Sequence, residues 1–151
     1  MKKIKGWHSS LFSIGAKEVL IKAVAQAIPT YAMSVFKVPL GLCDDLQKLL
    51  TRFWWSAKDS EKTIHWIGWK KLAQPKKGGG MGFREFDCFN QALLAKQGWR
   101  ILQKPNSLMA RVLKARYFRR EEFLKAKLGS NPSFMWRSVL WGRDVLQKGL
   151  R

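Results

Sequence analysis

The sequence is poor in cysteine and acidic residues, and it has no long apolar run. Only Cys43 and Cys88 are present among 151 residues, which excludes a domain held together by several disulfides. The longest mostly apolar stretch, residues 28–42, is broken by prolines, a lysine and a glycine, whereas a membrane span needs about 20 residues. The first eight residues lack an apolar core and a cleavage site, so we predict no secretory signal and an intracellular setting.

Residues that could catalyse a reaction or bind a metal are also sparse. The ten acidic residues form no cluster suited to a two-metal polymerase or nuclease site. The two acidic pairs, 44–45 and 121–122, are adjacent in sequence and would point apart on a helix. The histidines and cysteines lack the paired spacing of a zinc site; they are His8, Cys43, His65 and Cys88. We therefore predict no catalytic residue, metal, cofactor or small-molecule substrate.

Positive charge is the most pronounced property that the sequence does have. It carries 29 lysines and arginines against 10 acidic residues, for a net charge of +19. Eight tryptophans and 46% hydrophobic residues favour a folded chain, because disordered chains are poor in aromatics. A strong positive field costs stability through self-repulsion, so a polyanionic partner is expected, with nucleic acid as the leading candidate. The alternative is a basic surface that is solvated and binds no partner. Binding to a membrane surface is disfavoured, because it needs a helix with one basic and one apolar face and the basic residues here are scattered.

Apolar residues recur at helical spacing along nearly the whole chain. The pattern predicts helices over 16–28, 30–36, 42–53, 66–73, 85–104 and 107–117, and a last helix that starts near 131. Thr30, Asn106 and Asn131 are predicted caps of three of them. No alternating segment is long enough for a confident strand. The predicted class is all-α, an irregular bundle of about five to seven helices with little or no sheet.

Some polar residues in these helices have predicted positions. The predicted apolar face of the first helix consists of Val19, Leu20, Ala23, Val24 and Ala27. Lys17, Lys22 and Gln26 are expected to lie mostly off that face. Asp44 and Asp45 are expected in the first turn of the third helix, where negative charge suits the helix dipole. Asn90 and Gln97 lie in the middle of the long helix, and polar groups buried there would need hydrogen-bond partners.

The glycine-rich stretch at 75–82 is the clearest break in the pattern. It predicts an N-terminal helical part over 1–74, a linker over 75–84 and a C-terminal helical part over 85–151. A phosphate-binding P-loop does not fit, because Lys76 and Lys77 precede the glycines instead of following them. A flexible turn is the simpler interpretation. In the alternative, backbone N–H groups with Lys76, Lys77 and Arg84 contact a nucleic-acid phosphate.

Tryptophans and cations alternate along the chain. Seven tryptophans are candidates either for the core, the commoner role at helical spacing, or for stacking on single-stranded bases; they are Trp54, Trp55, Trp66, Trp69, Trp99, Trp136 and Trp141. The densest basic cluster lies within 111–120. The predicted nucleic-acid contacts, with duplex or single strand, are Lys70, Lys71, Lys76, Lys77, Arg84, Arg100, Arg111, Lys114, Arg116, Arg119 and Arg120.

A series of short strings carries a likeness to a known family. The strings lie at 15–22, 27–34, 36–39, 52–55, 64–66 with Trp69, 75–76, 79–84, 89–97 with 99–100, 132–133 and 136–138. Together, in this order and with similar spacing over nearly the whole chain, they resemble the region downstream of the polymerase palm in plant LINE-type, non-LTR retrotransposon reverse transcriptases. The resemblance implies a relative of an RNA-directed DNA polymerase, in particular of its helical thumb and connector.

The same resemblance places the chemistry outside this chain. The family's catalytic aspartates lie upstream, in a Tyr/Phe-x-Asp-Asp turn that this sequence lacks, and the downstream RNase H carboxylates are also absent. The chain is therefore expected to be a non-catalytic fragment of a retroelement protein, truncated at its end, with a polymerase palm as partner in the parent protein. Its compartment would then be nuclear or organellar. The alternative is a structural or interaction remnant with no retained nucleic-acid role.

Overall fold

The computed structural model of the chain describes residues 12–56 and 64–149. Within them the chain contains seven α-helices and no strand or sheet, so the predicted all-α class is confirmed. The helices are α1 (Ile14–Val19), α2 (Thr30–Val35), α3 (Leu40–Trp55), α4 (Trp69–Leu72), α5 (Phe86–Gln103), α6 (Leu108–Tyr117) and α7 (Phe134–Gly149). A π-helical segment, Leu20–Ala25, follows α1, and 3-10 turns occupy Lys76–Gly78 and Phe123–Lys125. No helix in these ranges is both long and apolar enough to cross a membrane.

The chain forms two compact units, each built from two stretches of sequence. The first unit comprises residues 1–30 and 39–87, and the second comprises residues 31–38 and 88–151. Residues 75–84, the predicted linker, fall within the first unit. The predicted division into domains stays a prediction. The N-terminal segment with His8, and residues 57–63, lie outside the described residues.

The core of the first unit is built around aromatic rings. Trp69 of α4 stacks on Phe83, with ring centroids 5.3 Å apart and planes at 19°. Trp54 of α3 meets the same Phe83 ring edge-on at 5.3 Å, and Phe86 stacks on Trp69 at 6.3 Å. Such pairs add to the stabilisation from apolar burial. The short helix α4 is therefore held by its aromatic contacts, since four residues are too few for a stable isolated helix.

Trp136 lies at the centre of the second unit. Its side chain is fully buried and stacks on Tyr117 with centroids 4.7 Å apart and on Phe118 at 5.7 Å. Helices α5 and α7 approach closely beside it, where Gly142 faces the backbone of Leu94. The buried cluster of this unit comprises Ile101, Ala110, Leu113, Phe118, Phe123, Ala126, Trp136, Val139 and Leu140.

Helices α6 and α7 begin with serine caps that differ from the predicted ones. The Oγ atoms of Ser107 and Ser133 accept the N–H groups of Ala110 and Trp136, at 3.3 and 3.2 Å. The predicted caps Asn106 and Asn131 are therefore wrong by one or two residues, because the serine hydroxyl stands where it reaches the first-turn N–H. Thr30 is also not a cap. Its hydroxyl donates to the carbonyl of Gln26 at 3.1 Å.

Two further helices start at residues other than the predicted ones. Helix α3 begins at Leu40, directly after Pro39, so Asp44 and Asp45 lie beyond its first turn and not at the positive end of the dipole. Proline suits a helix start because the first-turn N–H groups lack intrahelical acceptors. Helix α4 begins at Trp69, and the predicted helical residue Trp66 precedes it with 75% of its surface exposed.

The first helical region buries a face different from the predicted one. Lys17, Ile21 and Ala25 are buried, as is Gln26, whereas Val19 is 63% exposed. The predicted positions of Lys17 and Gln26 off the apolar face are therefore wrong. The helix carries apolar residues of its own on several sides, so the period of the apolar residues does not define which side faces inward. Lys17 is accommodated because its Nζ donates to the carbonyl of Ser56.

The buried lysine makes stability depend on pH. Desolvation lowers the pKa of Lys17, so in alkaline solution the unfolded chain binds the proton that the folded chain has lost, and stability rises with pH. We expect Lys17→Met to stabilise the chain near neutral pH, with the gain shrinking as pH approaches the ordinary lysine value of 10.5. Urea unfolding at several pH values measures this. Lys48→Met, at an exposed site on α3, is the control for replacing a lysine by methionine. A gain of Lys17→Met that grows with pH would contradict the prediction.

Candidate nucleic-acid interface

All eleven predicted nucleic-acid contacts are exposed side chains. Five of them belong to the first unit, on α4, on the turn that follows it and at Arg84. The other six belong to the second unit, on α5, on α6 and on the segment directly after α6. A phosphate needs cations that solvent can reach, so every member of the set meets the first requirement of a contact. Their role as contacts stays a prediction.

The glycine-rich segment of the first unit is closed by its own backbone. Each N–H group from residue 78 to residue 83 donates to a backbone carbonyl; for example, Met81 donates to Leu72 and Gly82 to Gln74, both at 2.8 Å. A Cβ atom at Gly80 would lie 2.1 Å from the carbonyl oxygen of Gln74, so only glycine fits there. Because these six N–H groups are already used, a phosphate at this segment would contact lysine side chains and not these groups.

In the first unit, the side chains of Lys71 and Lys76 contact other groups of the protein. The Nζ of Lys71 donates to the carbonyl of Gly78 at 3.2 Å, and Lys76 forms an ion pair with Glu18 at 2.8 Å. Glu18 also pairs with Lys22 at 2.7 Å. Hydrogen bonds from Lys22 and then Lys76 lower the pKa of Glu18. Because the Lys71 and Lys76 side chains are exposed, their contacts contribute little to stability, and these two lysines could exchange them for a phosphate at small cost.

Helix α6 brings part of the basic cluster together. Arg111 and Lys114 are three residues apart and share one side of the helix. Arg119 lies past the helix end, and its Nε donates to the carbonyl of Ala115 at 2.7 Å. This bond brings a cation to the negative end of the helix dipole and onto the side that carries Arg111. The structure thus groups Arg111, Lys114 and Arg119 around one side of α6.

Arg116 is separated from that group. Helical geometry turns it away from Lys114, and its guanidinium lies 5.5 Å from the ring centroid of Tyr117. Both residues line a cavity of about 280 Å³ together with residues 128–131. Hydrogen bonds from the side chain and backbone of Ser133 lower the pKa of Tyr117. A single cation beside this polar cavity is a weaker candidate than the three on the other side of α6.

Lys114 also lines a second cavity, of about 410 Å³, whose walls are mainly apolar. The side chains of Glu121 and Glu122 line the same cavity, together with Ile101 and Phe123. The two carboxylates oppose an anion at this point. A phosphate would therefore meet Lys114 from the outer surface of α6 and not from within the cavity.

The tryptophans divide between the core and the surface. Trp69 and Trp136 are buried, and Trp66 and Trp99 are exposed, at 75% and 42% of their surface. The remaining three of the predicted set are half-buried; they are Trp54, Trp55 and Trp141. Helical spacing alone did not distinguish these groups, because it places a residue on a face without saying what covers that face.

Among the described residues, the cysteines and His65 do not belong to any group of side chains that could hold a metal ion. Cys43 is buried and Cys88 is exposed. Burial raises the pKa of the Cys43 thiol, and the charges of Asp87 and Asp44 raise it further. Over residues 12–56 and 64–149, no three histidine, cysteine or acidic side chains are grouped so that they could hold a metal ion.

An exposed aromatic pair in the second unit was not among the predicted site residues. The rings of Phe36 and Phe134 stack with centroids 5.5 Å apart and planes at 26°. They nevertheless remain 42% and 56% exposed. Beside them, the Nζ of Lys37 lies 4.5 Å from the ring centroid of Trp141. No local sequence signal could have found the pair, since its two rings come from distant parts of the chain.

These observations define an all-α, strongly basic chain with exposed cations in both of its units. The chain belongs to the same family as "Uncharacterized mitochondrial protein AtMg00310" of Arabidopsis thaliana. The two are 44% identical over 125 residues, which cover 82% of this chain and 81% of that protein. No protein-family profile matches the chain, and no solved structure matches it.

A second relative is much longer than this chain. "Putative ribonuclease H protein At1g65750" of Arabidopsis thaliana is 35% identical over 153 residues, covering 98% of this chain and 24% of that protein. The chain thus spans about a quarter of its length. Both relatives support the resemblance to plant retroelement-derived proteins. The finer likeness to a LINE reverse transcriptase stays a prediction.

Proposed function

We propose that this chain binds nucleic acid by its phosphate backbone and catalyses no reaction by itself. The exposure of all eleven candidate cations supports the proposal. With 29 basic and 10 acidic residues, most cations have no carboxylate to neutralise them. Phosphate contacts hold a duplex in position without reading its sequence. In a complete reverse transcriptase of the LINE type, this region would act as a thumb and connector that grips the template and primer.

The salt dependence of binding tests the electrostatic part of the proposal. The full chain is titrated into a labelled RNA–DNA hybrid at salt concentrations between about 50 and 200 mM. If roughly six phosphates are neutralised, log K should fall against log salt with a slope of about −5. A flat response would overturn the proposal. Binding no tighter than micromolar to both DNA and RNA at low salt would favour a structural remnant instead.

A matched pair of double variants tests where the phosphates bind. Arg111→Gln with Lys114→Gln removes two cations from the group on α6, and the slope should become shallower by about 2. Lys48→Gln with Arg52→Gln removes the same charge from exposed sites on α3 that are outside the predicted set, and the slope should stay nearly unchanged. Equal effects of the two pairs would show that only the net charge matters.

A primer-extension assay tests the absence of catalysis. We expect the purified chain to extend no primer on an RNA template in the presence of Mg²⁺. The sequence lacks a Tyr/Phe-x-Asp-Asp turn, and two-metal phosphoryl transfer needs carboxylates that hold both ions. Template-dependent synthesis by the chain alone would contradict this part of the proposal and leave the binding part intact.

A further inference from the structure

The second unit presents an aromatic surface next to positive charge, formed by Phe36, Lys37, Phe134, Arg137 and Trp141. Its central feature is the stacked pair Phe36–Phe134, with ring centroids 5.5 Å apart. About half of the surface of each residue remains exposed, 42% for Phe36 and 56% for Phe134. We call these five residues the aromatic surface.

Helix α7 arranges three of the five residues along one side. Phe134, Arg137 and Trp141 are spaced three and four residues apart, so they lie on successive turns of the same helix face. The Arg137 side chain is exposed. Lys37 adds a second exposed cation, with its Nζ at 4.5 Å from the Trp141 ring centroid. Aromatic rings and cations thus alternate over a short distance.

The backbone that carries Phe36 and Lys37 is held by hydrogen bonds to two buried side chains, Ser138 and Asn90. The N–H of Lys37 donates to the Oγ of Ser138 at 2.8 Å, and Ser138 is fully buried. The Nδ2 of Asn90 donates to the carbonyls of Met33 and Phe36, at 2.7 and 2.9 Å. A surface whose backbone is already fixed loses little entropy when it binds a ligand. The exposed rings are therefore presented in a defined geometry.

We propose that the aromatic surface stacks unpaired nucleic-acid bases, with Lys37 and Arg137 contacting the adjoining phosphates. This inference rests on the proposed function and adds a preference for single strands. Exposed rings next to cations are the arrangement with which proteins bind single strands regardless of sequence. A duplex cannot use the rings, because its bases are already stacked on each other.

The charge of the chain favours this occupant over a second copy of the same chain. Two copies, each with a net charge of +19, would repel each other. A single strand brings one negative charge per nucleotide together with flat apolar bases, and both complement the aromatic surface.

A comparison of two oligonucleotides with equal charge tests the inference. One is an oligothymidine of about twelve nucleotides, and the other is an abasic strand of the same length, which keeps the phosphates but has no bases. The full chain should bind the oligothymidine roughly 10- to 100-fold more tightly, since stacking contributes for each base. Fluorescence anisotropy at one fixed salt concentration gives both affinities.

Variants locate the effect. Phe36→Leu with Phe134→Leu keeps apolar bulk and folding but removes the aromatic rings, and we expect the preference for the oligothymidine to fall to less than about threefold. Circular dichroism checks that the variant folds. Trp99→Leu is the control, because Trp99 is exposed to the same 42% but lies outside the aromatic surface. It should keep the preference, and an equal loss would overturn the assignment to Phe36 and Phe134.

The outcomes separate this inference from the proposed function. Equal, salt-dependent binding of both strands by the wild-type chain overturns base stacking and leaves phosphate binding intact. No salt-dependent binding of either strand overturns both. A Phe36→Leu and Phe134→Leu variant that keeps its preference for bases but changes its sedimentation would assign the surface to contact between copies, and the inference would be wrong.

Discussion

Replacing Gly142 by alanine is expected to lower the free energy of unfolding by about 3 kcal/mol. A Cβ atom at this position would lie 2.4 Å from the carbonyl carbon of Leu94 and 2.5 Å from the nitrogen of Ala95. Both are backbone atoms of α5, so no side-chain rotation relieves the clash and the two helices must separate. Urea unfolding of the full chain measures the loss.

Gly41→Ala is the matched control for this substitution. Gly41 lies in helix α3, and a Cβ atom there would meet nothing within 4 Å. Alanine costs less conformational entropy than glycine in a helix, so this variant should be stabilised by up to about 0.5 kcal/mol. If Gly142→Ala proved as harmless as Gly41→Ala, the close contact between α5 and α7 would not be essential to the second unit.

Replacing Asn90 by leucine is expected to cost roughly 3 kcal/mol or more. The Asn90 side chain is fully buried, and its Oδ1 accepts the N–H of Val38 at 2.8 Å. Its Nδ2 donates to the carbonyls of Met33 and Phe36. Leucine has a similar size but leaves three backbone groups without these partners, and burying them unsatisfied carries the desolvation penalty.

Amide hydrogen exchange tests whether the effect of Asn90→Leu arises at the hydrogen bond to Val38. The N–H of Val38 should exchange much faster in Asn90→Leu, because its acceptor is gone. The preference for oligothymidine over the abasic strand should weaken too, since Asn90 fixes the backbone of the segment that carries Phe36. Asn106→Leu is the control at an exposed site, with an expected change within about 0.5 kcal/mol. Unchanged exchange at Val38 would contradict the role given to Asn90.

Helix positions were largely predictable from the sequence. The predicted helix over 85–104 is Phe86–Gln103 in the structure, and the one over 107–117 is Leu108–Tyr117. Both depend on local periodicity and on nearby residues that stop or start a helix. The helix starts were less accurate. Serine and asparagine are both favoured as N-cap residues, so the sequence does not tell which of two neighbouring candidates caps the helix. Only the folded backbone shows which side chain reaches the first-turn N–H.

The inward faces were harder to predict where apolar residues surround a helix. Lys17 was expected outside and is buried, where its Nζ donates a hydrogen bond to the carbonyl of Ser56, far along the chain. The need of Asn90 for partners could be foreseen, whereas the identity of those partners could not. The same holds for the candidate interface. The exposure of its cations could be predicted because they are charged, whereas their grouping around α6 depends on the path of the chain after Tyr117.

By itself, the sequence determined the net charge of +19, the helical class and most helix bounds. Charge is a sum over residues and helix formation is mainly local, so neither requires knowledge of distant contacts. Only the tertiary structure decided which aromatic rings are exposed, which polar groups are buried and that Phe36 stacks on Phe134. These properties depend on residues that are distant in sequence and meet only when the chain has folded.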